Sequence, residues 1–406
     1  MDKRIPEEGS GVNHGPREAH IRRREFFKLS AAGAAGVALS GGLAAQDTTS
    51  DHKPKAAEEI STNIADLLKP RTADSMPGKF PGKVVQIATG SAASDTGFDT
   101  NKIREAVETG MKELTGEKDI RDAWRVFVGP EDVVGLKLNP IGGKLLSNRP
   151  EMVDVIIDGL KAAGIPKKNI VIWDRRLFQL EEAGFTPDRY PGIRILGTEM
   201  KGPNDDFYDE NGLLWARDNI DRDYPAYTVD IEGKYEKNVL PYMINEGRTS
   251  YFTKIVTQTC SKIINVPVLK NAGSAVTLCL KNLSYGALSN TSRLHKIWAK
   301  SVAEPCAVPC LRDKVVLNIV DGLKACYEGG PGANAQYIWN ANQMLFGTDP
   351  VAVDTVGYEF IIGERMKRGV QQLEDKKRRE FLEIAGKLGL GHHDKDNIRL
   401  HSLELA

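Results

Sequence analysis

Residues 132–174 read "DVVGLKLNPIGGKLLSNRPEMVDVIIDGLKAAGIPKKNIVIWD", and this stretch decides the fold. "DVVGLKLN" is an apolar run of strand length, followed by the Gly-containing loop "PIGGKLLSNRP". In "RPEMVDVIIDGLKAAG" the apolar residues Val153, Ile156, Ile157 and Leu160 share one helical stripe. "NIVIWD" is again a strand. Strand, helix and strand in that order predict two parallel strands joined by a covering helix.

The same rhythm extends both ways. Upstream, "KVVQIA" reads as a strand and "TNKIREAVETGMKEL" as a helix; downstream, "FQLEEAGF" is a short helix and "IRILG" a strand. It breaks over residues 201–248, a polar and aromatic stretch with a hairpin at "VDIEGKYEKNV", which reads as an inserted α+β lobe or lid. It resumes with "KIINVPVL" as a strand, "AVTLCLKNLSYGAL" as a helix, and "KVVLNIVD" and "QMLFG" as strands. "DPVAVDTVGYEFII" is a helix with Asp349 as N-cap and Pro350 in its first turn. The predicted fold is α/β: a mostly parallel sheet covered by helices, spanning residues 83–362, with a helical tail over 363–406.

The amino-terminal end has a different character. Arg23-Arg24 precede Phe26-Phe27-Lys28 and a short Ala/Gly/Leu run, which resembles a twin-arginine (Tat) export signal over residues 1–45. The apolar part falls short of the roughly 20 residues of a membrane span, and glycines and serines dilute it. An uncleaved anchor is the alternative to cleavage, and no membrane span is expected once the signal is removed. The expected location is the periplasm, with the Tat translocase as a transient partner. Residues 46–82, rich in Pro, Lys and small polar residues, read as a flexible linker.

The chain has 55 basic and 55 acidic residues among 406. That balance gives no reason to expect nucleic acid as a partner. Five cysteines make no disulfide framework and no iron–sulfur signature, and whether Cys306 and Cys310 of "CAVPC" pair is left open. "GPGANA" at residues 330–335 has the form G-x-G-x-x-A but follows no adjoining strand, so it is not a dinucleotide fingerprint. His392-His393 with Asp394 reads as a solvated turn rather than a metal cluster.

Candidate chemistry lies where polar residues end apolar strands, because open parallel sheets bind ligands outside the carboxyl ends of their strands. Lys137 and Asn139 end one strand, Asp174 a second, Lys270 and Asn271 a third, and Asp321 a fourth. With Lys281 these lysines form a basic rim suited to a small anion. The expected binding residues are Lys137, Asn139, Lys270 and Asn282; the expected catalytic residues are Lys281, His295, Asp321 and Asp354. Asp and His side chains there would also suit a divalent metal, whose presence the sequence leaves open. Lys281 lies off its helix's apolar stripe and reads equally as a solvated lysine.

"IINVPVLKNAGSAVTLCLKNLSYG", His295, "VVLNIVDGLKACYEGGPG" and "NQMLFGTDPVAVDTVGYEFI" resemble the domain of unknown function 362 family, as do "VVGLKLNP" and "VDVIIDGLKAAGIPKKNIVIWD". The resemblance runs from about Lys83 to Ile362. Members carry Tat signals or ferredoxin-like modules, and no ferredoxin module is seen in this sequence. The resemblance implies a fold, a compartment and a candidate site, and no reaction. Relatives tend to have a histidine two residues after the lysine matching Lys270, where this chain has Ala272; that departure weakens a metal role. Two functions follow as expectations: an exported enzyme acting on a small anion, with a divalent metal or redox partner, or a periplasmic binding or accessory protein without catalysis.

Overall fold

The computed structural model describes residues 60–202, 204, 206, 218–229, 231, 249–272, 275–370 and 375–405. All of them fall in one unit, residues 57–406. The Tat-like segment with Arg23 and Arg24, the linker up to residue 59 and most of the 201–248 insertion lie outside the described residues.

In chain order the main elements are β1 (Lys83–Ala88), α1 (Thr100–Thr115), α2 (Ile120–Arg125), β2 (Val134–Lys137), α3 (Pro150–Ala163), β3 (Ile170–Arg176), α4 (Leu177–Glu182) and β4 (Arg194–Glu199). After the insertion come β5 (Lys262–Asn265), β6 (Val268–Ala272), β7 (Ala275–Thr277), α5 (Cys279–Ala287), α6 (Trp298–Ala303), β8 (Val315–Cys326), β9 (Ile338–Gly347), α7 (Pro350–Lys367), α8 (Asp375–Lys387) and β10 (Arg399–Glu404). The decisive βαβ unit is present, with β2 and β3 parallel from Val134↔Ile170 to Lys137↔Trp173. Pro150 stands in the first turn of α3, and Gly164 ends it in the left-handed conformation (φ 105°) that glycine adopts freely.

The sheet order is β10-β1-β9-β8-β5-β2-β3-β4, with β6 continuing β5's path along β8 and β7 folded back on β6. Pairing is parallel except where β9 runs against β1 and β8, and β7 against β6. Successive strand residues face opposite sides. Ile170, Ile172 and Ile264 enter one core with α1, α2 and α3, while Val171, Trp173 and Ile263 enter the other with α5, α7 and α8. Helices therefore cover both faces, and the expected α/β class with a mostly parallel sheet is the one found.

Four local expectations need correction. Residues 60–82 are no free linker: Met76 and Leu67 are buried, and Arg312 donates to the Lys69 and Pro70 carbonyls at 2.7 and 2.8 Å. "KIINVPVL" is two strands, since Pro267 has no N–H for the ladder. "AVTLCLKNLSYGAL" starts as the short strand β7 before α5. The tail is helical only in part; it ends in β10, which pairs parallel with β1 from Lys83↔Arg399 to Ala88↔Glu404. Asp349 caps α7 as expected, accepting from the Val351 and Ala352 N–H groups at 3.0 and 2.9 Å.

Candidate functional site

Parallel register brings the carboxyl ends of β2, β3 and β5 to one edge, with Lys137 opposite both Trp173 and Asn265. Helix α5 crosses this edge closely. A Cβ on Gly286 would fall 2.0 Å from Lys137 Cε, so only glycine lets the helix lie against that lysine. Lys137 Nζ lies 2.6 Å from Asp174 Oδ1, 2.6 Å from the Leu138 carbonyl and 3.0 Å from Asn282 Oδ1. Three acceptors need three protons, so Lys137 is an ammonium. Burial pulls its pKa below the ordinary lysine value, while the Asp174 carboxylate opposes that pull.

Lys270, on β6, is fully buried, and its Nζ donates to Asn139 Oδ1 at 2.6 Å. Loss of hydration lowers its pKa to about 7; the charges of Lys281 and Lys137 push the same way, and Cys326 and Asp174 push back. Thr277 stands opposite Lys270 across the β6–β7 pair, and its buried hydroxyl has no hydrogen-bond partner among the described residues. Asn139 donates in turn to Asn282 Oδ1 at 2.9 Å.

Above this floor lies a rim. Lys281 is half-buried with its Nζ 5.4 Å from the Tyr285 ring centre, and burial lowers its pKa to about 8. His295 meets the same ring edge-on, with centres 5.0 Å apart. Its ring is reached by solvent yet crowded by protein, and lost hydration with the Lys281 charge pushes its pKa down to about 4. Arg175 hydrogen-bonds Thr291 and pairs with Glu199 at 3.4 Å.

The structure thus brings Lys137, Asn139, Lys270 and Asn282 into one hydrogen-bonded cluster, with Lys281 and His295 beside it. The two expected catalytic carboxylates bond to backbone. Asp321 accepts from the N–H of Arg149 at 2.9 Å and of Leu323 at 3.3 Å, and burial raises its pKa to about 6. Asp354 accepts from the N–H of Cys279 at 2.6 Å and of Leu280 at 3.0 Å, capping α5 from a neighbouring helix; burial raises its pKa to about 7. Among the described residues no three His, Cys, Asp or Glu side chains gather as a ligand set. Within the cluster the Lys137 ammonium repels a cation, and the Asn139, Asn265 and Asn282 side-chain oxygens already accept hydrogen bonds from protein donors. Cys306 and Cys310 are both free buried thiols.

Asn265, Asn318 and Thr277 belong to the site and escape the sequence reading. Asn265 Nδ2 lies 2.9 Å from Asn318 Oδ1, and Asn265 Oδ1 accepts from Asn282 at 2.8 Å. An asparagine inside "KIINV" and another inside "VVLNIV" were the available signal, since a polar side chain within an apolar strand needs a partner.

An open, mostly parallel α/β sheet with a lysine–asparagine cluster where β2 and β5 end defines the class. The chain belongs to the family described as Domain of unknown function (DUF362), whose model matches residues 134–359. That match begins at β2 and ends within α7, holding every residue of the cluster. No curated protein matches the chain. A solved structure of a Thermotoga maritima protein is similar at 9% identity over 66% of this chain, with a TM-score of 0.33. The alignment spans 59% of that protein, and so slight a likeness carries no argument.

Proposed function

We propose that this chain is an exported enzyme acting on a small anionic substrate at the carboxyl ends of β2, β3 and β6. One observation carries the reading: Lys270 is a fully buried amine with a pKa of about 7, held by the Asn139 side-chain oxygen, across from a Thr277 hydroxyl that has no hydrogen-bond partner among the described residues. An amine that is about half protonated at neutral pH can both take and give a proton. Lys281 supplies positive charge to the anion, and Asn139 orients Lys270. Lys137 has all three protons engaged with protein acceptors, so it positions Asn282 rather than touching substrate. His295, neutral at physiological pH, carries protons at the rim. Asp321 and Asp354 accept from backbone N–H groups and hold the segments around the cluster.

Export rests on the Tat-like segment. Replacing Arg23 and Arg24 together by lysine should leave the protein in the cytoplasmic fraction; undiminished periplasmic recovery would remove the export reading.

The test of catalysis is incubation of the purified protein with a periplasmic small-molecule extract, followed by mass spectrometry. An enzyme consumes an anionic metabolite, and Lys270→Met abolishes that consumption while the fold persists. A metabolite retained unchanged by both proteins would make this a binding or accessory protein. No retained or consumed anion would overturn the site.

A further inference from the structure

Four buried asparagines form a single-file chain across the sheet. Asn318 Nδ2 donates to the Gly347 and Thr348 carbonyls at 3.3 and 3.4 Å, which turns its Oδ1 toward Asn265. Asn265 Nδ2 donates to that oxygen at 2.9 Å and to the Cys279 carbonyl at 3.2 Å, which turns Asn265 Oδ1 toward Asn282. Asn282 Nδ2 donates to it at 2.8 Å and to the Lys137 carbonyl at 3.4 Å. The Asn282 oxygen then accepts from both Lys137 Nζ and Asn139 Nδ2. Asn139 is left with only its oxygen to offer Lys270.

We infer that Asn265 and Asn318 are positioning residues for Lys270: through Asn282 they fix the amide orientation by which Asn139 presents oxygen, and not its NH2 group, to the lysine. An amide can turn over by 180° at little cost when alone. Here each member's donor end is committed to a backbone carbonyl, to the next amide's oxygen, or to both, so turning one sets NH2 against NH2 or oxygen against oxygen. All four side chains are buried, so water cannot repair the mismatch. Lys137 adds a lock, because an ammonium only donates and so holds the Asn282 oxygen on its side. Asn265 and Asn318 thus act on Lys270 through Asn282 and Asn139. The charged and titratable groups acting on Lys270 itself are Lys281, Lys137, Asp174 and Cys326; none belongs to the asparagine chain. The inference rests on Lys270 being the working amine.

Its test is the titration of Lys270 in the ligand-free protein, followed by NMR of lysines labelled at Cε. Asn139→Leu should lower the Lys270 pKa by about one pH unit, since it removes the oxygen that favours the ammonium. Asn265→Leu and Asn318→Leu should lower it in the same direction by a smaller step. A merely structural role would reduce melting temperature and leave the Lys270 titration in place, and that result in both variants would overturn the inference. If the leucine variants do not fold, neutron diffraction of the wild-type protein decides. Deuterons of Asn139 pointing at Asn282 are expected; deuterons pointing at Lys270 would contradict the inference. Neither measurement uses a ligand, so its failure is separate from failure of the anion site.

Discussion

Lys137 Nζ and Asp174 Oδ1 lie 2.6 Å apart, in a pair whose side chains are 1% and 11% exposed and whose strands, β2 and β3, run parallel. A buried pair of this kind adds little to net stability but makes each partner depend on the other. Its evident use is geometric: it holds an ammonium under Asn282, which in turn faces Asn139 and so Lys270.

Removing one partner should therefore be far worse than removing both. Asp174→Ala is expected to cost about 3–5 kcal/mol, because it strands the Lys137 charge, whereas Lys137→Met with Asp174→Leu should cost much less. Urea unfolding of the three variants checks this. Equal losses for the single and double replacements would show that the pair is not coupled.

Gly286→Ala places a methyl group where Lys137 Cε sits. The lysine is tied by three hydrogen bonds and has nowhere to move, so a loss of about 1–3 kcal/mol is expected. Combining it with Lys137→Ala should recover part of that loss. Strict additivity in a double-mutant cycle would deny the contact.

The depressed pKa of Lys270 has a stability consequence with a definite sign. Its folded pKa, about 7, lies below the value near 10.4 of an exposed lysine. Between these pH values the unfolded chain holds a proton that the native protein does not, so stability from this group rises with pH. The difference in unfolding free energy between wild type and Lys270→Met should climb by about 1.4 kcal/mol per pH unit from roughly pH 7 to 10. A flat difference would return Lys270 to an ordinary value.

Lys281 contributes to the low pKa of His295, after the larger effect of lost hydration. Lys281→Met should raise the His295 pKa from about 4, without restoring the full value near 6.5 of a free histidine. Imidazole resonances followed against pH report it directly, and an unchanged midpoint would separate the two side chains.

Much of this arrangement is legible in the sequence, for physical reasons that also mark where legibility ends. Lys137 and Lys270 stand out because each is a charged residue closing an apolar run of sequence, where burial without a partner is costly. Asn282 is visible beside Lys281 in "LKN". Asn265 and Asn318 do not stand out, since one polar residue within a β-branched run leaves the strand pattern intact. Asp354 reads as a free carboxylate because its work, capping α5 from α7, depends on a helix about 75 residues away in sequence. Strand β10 is hidden because "RLHSLE" is short and largely exposed, and its partner β1 lies at the other end of the domain.

The most direct measurement is an NMR titration of the Cε-labelled lysines with succinate and, separately, inorganic phosphate, in wild type and Lys281→Met. Saturable shifts at both Lys270 and Lys281, weakened at least about tenfold in the variant, are expected if the two amines share an anion site; a tenfold loss corresponds to about 1.4 kcal/mol. Lysine resonances that stay still through tens of millimolar of each probe, or affinity that is indifferent to the loss of Lys281, would contradict it.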